Sequence, residues 1–125
     1  MDSISTGIGV AGLLLTMVFL SGIWTSRSGK PYRTAPFTIH KLVGLAAGVC
    51  LAVIVYQAHQ VAPVGMAEIA AIVVTVLFFV GTVAAGGLLS IDRPTPESMR
   101  KLHQALPVLA LLSTVGTLIL LLRGR

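Results

Sequence analysis

The stretch Phe37–Gln57 reads FTIHKLVGLAAGVCLAVIVYQ. Apart from His40 and Lys41 at its start, it carries almost nothing that water would hold. A helix needs about 20 apolar residues to cross the hydrocarbon core of a bilayer, and this run is that long. Three more such runs flank it: Ile4–Trp24 before it, then Met66–Leu89 and Leu102–Leu122 after it. Together they use most of the 125 residues and leave no room for a soluble domain. Composition agrees, with 55% apolar residues, 10% charged and a mean hydropathy of +0.94. A soluble surface needs far more charge. The start, Met1-Asp2-Ser3, has no positive segment and the first apolar run is too long for a signal peptide, so it reads as a first spanning helix.

The connections are short and punctuated. Residues 25–36 contain Ser, Gly and two prolines, residues 90–101 contain Pro94 and Pro96, and the turn His59–Gly65 contains Pro63. Thr34 or Thr95 is placed to help start the helix that follows, and Glu97 suits a first turn. Short links make sequential helices antiparallel. The expected fold is therefore an all-α membrane protein, a single domain over 1–125. It is read as an up-down-up-down four-helix bundle of two pseudo-symmetric hairpins.

Charge sets the orientation. The net charge of +5 and pI of about 10.2 come from a lopsided distribution. Arg27, Lys30, Arg33 and Lys41 flank the first connection, and Arg93, Arg100 and Lys101 flank the third. The second has no Lys or Arg. The positive-inside rule puts the basic connections in the cytoplasm and both termini outside, in the plasma (inner) membrane. Arg123 and Arg125 are the minority on the outer side. Cys50 stands alone in mid-helix, so no disulfide framework exists.

Within this frame a repeat emerges. Lys30-Pro31 precedes His40, and Arg93-Pro94 precedes His103, both at an offset of 63. The same ungapped frame sets Gly22 against Ala85, Leu14 against Leu77 and Ala47 against Ala110. Parallel repeats of this kind are related by an axis along the membrane normal. Helices 2 and 4 would then be equivalent, with their histidines at one depth near the cytoplasmic side. Neighbouring helix axes lie about 8–10 Å apart, so a square bundle has a diagonal of roughly 11–14 Å. Two imidazoles could face one metal across it. The simplest such ligand is one haem b, held by His40 and His103 as iron ligands.

Nearby residues suit this expectation. Gly44 and Gly48 follow His40 at one-turn spacing, and Gly81, Ala84, Ala85, Gly86 and Gly87 occupy the same half of helix 3. Small residues leave room for a macrocycle, and they equally let bare helices pack closely. Lys41, Arg100 and Lys101 could neutralise haem propionates, or simply anchor the interface. Met99 lies one turn before His103 but closer to water, so His103 is the preferred ligand. His59 sits about 28 Å from His40 along the helix, and its repeat position is Leu122. The repeat therefore offers no second histidine pair. Tyr56, Gln57, His59 and Gln60 read as a polar cap at the outer surface, or as a quinone contact.

With His40 and His103 on facing helices, the chain resembles transmembrane b-type cytochromes of the cytochrome b561 kind over nearly its whole length. That resemblance implies electron transfer. The family's pattern provides two haems through two histidine pairs, whereas one matched pair is present here. The resemblance therefore implies a single haem, with electrons passing between a quinol or redox-protein partner and the cytoplasmic face. A homo-oligomer or a place in a larger complex fits the same picture. Two other classes stay open. One is a cofactor-free membrane subunit or scaffold. The other is a small transporter, although no helix carries an ionisable residue near its centre and Glu68 lies at an interface. No carboxylate pair, nucleophile elbow or phosphate loop points to soluble-type catalysis, and nothing suggests nucleic acid.

Overall fold

The computed structural model describes residues 3–29, 32, 34–91, 95–123 and 125. Lys30, Pro31, Arg33, Arg93 and Pro94 lie outside the described residues, so the basic-proline landmarks of the repeat have no structural account. The described residues form four helices and no strand: α1 Ser3–Ser28, α2 Thr34–Val61, α3 Met66–Leu89 and α4 Glu97–Leu122. Each is long and apolar enough to cross a membrane.

The boundaries follow from backbone chemistry. α3 coincides with its apolar run, while the other helices overrun theirs into the polar connections. Pro36 is the third residue of α2, where its missing N–H has no intrahelical acceptor to serve. Pro96, at φ −59°, takes the N-cap of α4, so Thr95 lies one residue outside the position expected of it. Gly29 ends α1 with φ +72°, a left-handed cap that only glycine adopts without strain. Glu68 caps α3 by accepting the Gly65 N–H at 2.7 Å.

The chain divides into two compact units, Met1–Gln60 and Val61–Arg125. In the first, α1 and α2 form an antiparallel hairpin. Gly7 faces Ile54 near one end and Gly22 faces His40 near the other. Cys50 donates its thiol proton to the Gly7 carbonyl at 3.5 Å. In the second, α3 and α4 pair the same way. Thr75 meets Ser113 at 2.5 Å and Thr117 at 3.0 Å, and Gly81 packs on Leu106. Small residues and hydroxyls at these contacts are the usual means by which membrane helices approach without a hydrophobic driving force.

Arg125 closes the second hairpin. Its guanidinium donates to Glu68 Oε1 at 2.6 Å and to the carbonyls of Leu121 and Ala62 at 2.6 and 2.7 Å. The side chain is 5% exposed. A charge that opposed the orientation rule in the sequence is thus tied into the protein rather than offered to headgroups.

The outward faces decide the environment. Leu13, Leu20, Leu45, Leu77 and Leu112 are each more than 60% exposed. Faces of this kind are untenable in water and ordinary against acyl chains. The protein is a multi-pass membrane protein built from four spanning helices.

Candidate functional site

His40 is the seventh residue of α2, and His103 is the seventh of α4. Each therefore lies about 9 Å along its helix from the N-terminal end. The His40 ring turns toward α1. Its Nδ1 lies 3.1 Å from the Val18 carbonyl oxygen and 3.2 Å from Ser21 Oγ. A carbonyl can only accept, so the proton sits on Nδ1 and the Nε2 atom carries the ring's lone pair. Ser21 donates its own proton to the Val18 carbonyl at 3.1 Å, which turns an oxygen lone pair toward the imidazole.

Gly22 makes this approach possible. In an α-helix the N–H of residue i+4 already bonds the carbonyl of residue i, so the Gly22 N–H shares the Val18 oxygen with the imidazole. A second donor reaching that oxygen must pass over the Cα of Gly22. A Cβ there would stand 3.0 Å from His40 Cε1 and 3.3 Å from Nδ1.

The second hairpin repeats the construction. His103 Nδ1 donates to the Thr82 carbonyl at 3.0 Å, and Gly86 lies four residues further along. A Cβ on Gly86 would stand 2.8 Å from His103 Cε1. Carbonyl, glycine and imidazole thus recur as one unit in both hairpins. The frame is not the ungapped one read from the sequence. α2 maps onto α4 at an offset of 63, but α1 maps onto α3 at 64, which pairs Val18 with Thr82 and Gly22 with Gly86 rather than with Ala85. Gly22 precedes His40 by 18 positions, and Gly86 precedes His103 by 17. Burial obeys the corrected frame. Ser21 and Ala85, Thr25 and Leu89, Ile54 and Thr117, and Ala58 and Leu121 are each buried on both sides of the match.

The remaining expected residues are placed as follows. Gly44, one turn beyond His40, is half-buried, and a Cβ on it would meet nothing within 4 Å. Its counterpart at the 63 offset is Pro107, inside α4, which has no N–H to return to the His103 carbonyl. Each histidine is therefore followed one turn later by a residue that weakens the helix, a device membrane helices tolerate. Gly48 is half-buried on α2. Lys41 is exposed, with its ammonium 4.7 Å from the Phe37 ring centroid, and that ring stacks on Tyr32 at 5.9 Å. Arg100 is exposed, and Lys101 lies 3.9 Å from Glu97 with both side chains mostly in solvent. Such a surface pair adds little stability. His59 is exposed in the last turn of α2.

Several contacts could not be read from the sequence. Val18, Ser21, Gly22, Thr82 and Gly86 orient the imidazoles. Elsewhere, Thr75, Ser113 and Thr117 stand where the first hairpin has Ala11, Cys50 and Ile54. Thr75 donates to the Ala71 carbonyl and Thr117 to that of Ser113, so this cluster is internally satisfied and joins α3 to α4. Among the described residues, no three His, Cys, Asp or Glu side chains gather as around a structural zinc ion. The imidazoles of His40 and His103, one per hairpin, are each held by a main-chain carbonyl. Compared with protein-family models, characterised proteins and solved structures, the chain matches none.

Proposed function

We propose that the chain is a membrane-embedded b-type haem protein that carries electrons, with His40 and His103 as the iron ligands through Nε2. One observation carries the reading. Each imidazole donates Nδ1–H to a main-chain carbonyl at 3.0–3.1 Å over a glycine. Metal-ligating histidines commonly have their second nitrogen held this way, because it fixes the tautomer and makes the ligating nitrogen more basic. The donor set therefore fits haem iron. The space beside Gly44 suits a flat group, with Gly48 a turn further on. Lys41, Arg100 and Lys101 would hold the propionates.

Bound haem supplies a one-electron ferric–ferrous couple. The protein's part is to hold the imidazoles, exclude water and neutralise the carboxylates. A quinol or a redox protein is the donor class, giving one electron at a time. The test is a reduced-minus-oxidised absorbance spectrum of membranes from cells supplied with haem precursor. Bands of b-type are expected at one haem per chain, and a colourless preparation would sink the proposal.

A second reading is favoured by the same bonds. If the histidines only join helices, the chain is a cofactor-free membrane subunit. Interhelical hydrogen bonds in membranes contribute about 0.6–2 kcal/mol each, so such bonds alone are modest fasteners.

The orientation proposed with this function places the α1–α2 and α3–α4 connections in the cytoplasm. In a Cys50→Ser background, Ser26→Cys should resist a membrane-impermeant maleimide added to intact cells, and Gln60→Cys should react. The opposite pattern would invert the topology.

A further inference from the structure

We propose that the second hairpin binds one anionic phospholipid, with an acyl chain in a groove along α3 and α4 and the headgroup phosphate against Arg123. The proposal stands apart from the haem reading. The groove, of about 520 Å³, lies within this hairpin. Ala70, Ala71 and Val74 form its α3 wall, and Ser113, Gly116 and Leu120 its α4 wall. Small side chains leave it open, and a Cβ on Gly116 would meet nothing within 4 Å. Arg123 lines the end of the groove at the close of α4.

Length and charge name the occupant. Ser113 and Arg123 stand ten residues apart, about 15 Å along a helix, which is half of the roughly 30 Å hydrocarbon core. The groove thus runs from the interface to mid-bilayer, the reach of one acyl chain from one leaflet. Its deep end asks for no polar partner, because the Thr75, Ser113 and Thr117 hydroxyls bond one another and the backbone. Its interfacial end does ask for one. Arg123 is exposed, and among the described residues no carboxylate pairs with it. Glu68, at the same end of the hairpin, is taken by Arg125. A guanidinium whose stem lies along apolar surface reaches headgroup level and holds a phosphate through two N–H donors. A second copy of the chain is the poorer occupant. A two-fold axis along the membrane normal would bring two Arg123 charges together at one depth.

The experiment is native mass spectrometry of the purified full-length chain in detergent, with dioleoyl phosphatidylglycerol or dioleoyl phosphatidylcholine titrated in. One phosphatidylglycerol per chain is expected to stay bound at concentrations where phosphatidylcholine does not. Arg123→Gln should weaken phosphatidylglycerol binding about fivefold, the worth of one basic residue at a membrane surface, and leave phosphatidylcholine unchanged. Gly116→Leu starts its side chain in the open groove. It should lose the bound lipid while circular dichroism shows wild-type helicity. Equal affinity of the wild type for the two lipids overturns the proposal. So does an Arg123→Gln affinity for phosphatidylglycerol equal to that of the wild type, which decides the matter alone if Gly116→Leu fails to fold. A dimer mass that Gly116→Leu abolishes overturns it in favour of a second copy.

Discussion

His40→Ala and His103→Ala each abolish the b-type bands, while His59→Ala leaves them at wild-type amplitude. The expected loss is complete in either variant, because a bis-histidine site with one ligand removed loses both its spectrum and most of its hold on the iron. The two histidines share a place seven residues into their helices, a tautomer and a backing carbonyl. His59 lies at the opposite end of α2 from His40. It is exposed in the last turn of α2, and Leu122 occupies its place in the repeat. Circular dichroism and gel filtration in detergent separate this outcome from misfolding. A histidine that merely joins two helices is worth about 0.6–2 kcal/mol, so the cofactor-free reading expects a folded, slightly less stable protein in each case. If either alanine variant keeps the full wild-type bands, that histidine is not a ligand.

Gly86→Ala should be more disruptive than a methyl added at Gly22 or Gly44. The new Cβ would stand 2.8 Å from His103 Cε1, 3.3 Å from Nδ1 and 3.4 Å from Nε2. The ring cannot retreat without leaving the Thr82 carbonyl at 3.0 Å. Overpacking of this kind costs about 1–3 kcal/mol, and the lost hydrogen bond adds to it. Replacing glycine by alanine in a helix returns about 1 kcal/mol, which is too little to offset both. Gly22→Ala meets His40 at 3.0 Å, where a shift of a few tenths of an ångström relieves the contact. There the helix-propensity gain comes close to balancing the cost. Gly44→Ala meets no neighbour and should not destabilise. Unfolding in mixed micelles should therefore rank Gly86→Ala well below Gly22→Ala, with Gly44→Ala near wild type. Gly86→Ala should also lose most of its haem. Wild-type stability in Gly86→Ala, with an unmoved His103 Nδ1–H resonance, would refute the steric account.

Much of the candidate site was legible in the chain, and the illegible part has a definite cause. His40 and His103 stood out because they are rare polar residues in apolar runs at one spacing. Gly22 and Gly86 were visible too, but an ungapped frame set Gly22 against Ala85. One residue along a helix turns the side chain by about 100°, so a slip of one exchanged the glycine beneath the imidazole for a buried alanine. Ser21 gave no signal at all. A serine in a membrane helix commonly bonds its own backbone, and only the approach of His40 from α2 gives its oxygen a second use. Arg125 misled in the other direction. As a charge near the outer surface it counted against the orientation, yet Glu68 and backbone carbonyls of the α2–α3 connection and α4 hold it.

Fold class, the number of spanning helices and the extent of α3 follow from the sequence by itself. Hydrophobic length and the absence of charge are properties of consecutive residues, and the bilayer tests them locally. Which carbonyl faces which imidazole, and that Ser21 stands against His40, were decided only by tertiary structure. Those contacts depend on the rotation and sliding of one helix against another. They are set by the summed packing of small residues such as Gly7, Gly22, Gly81 and Gly86, which no single stretch of sequence contains.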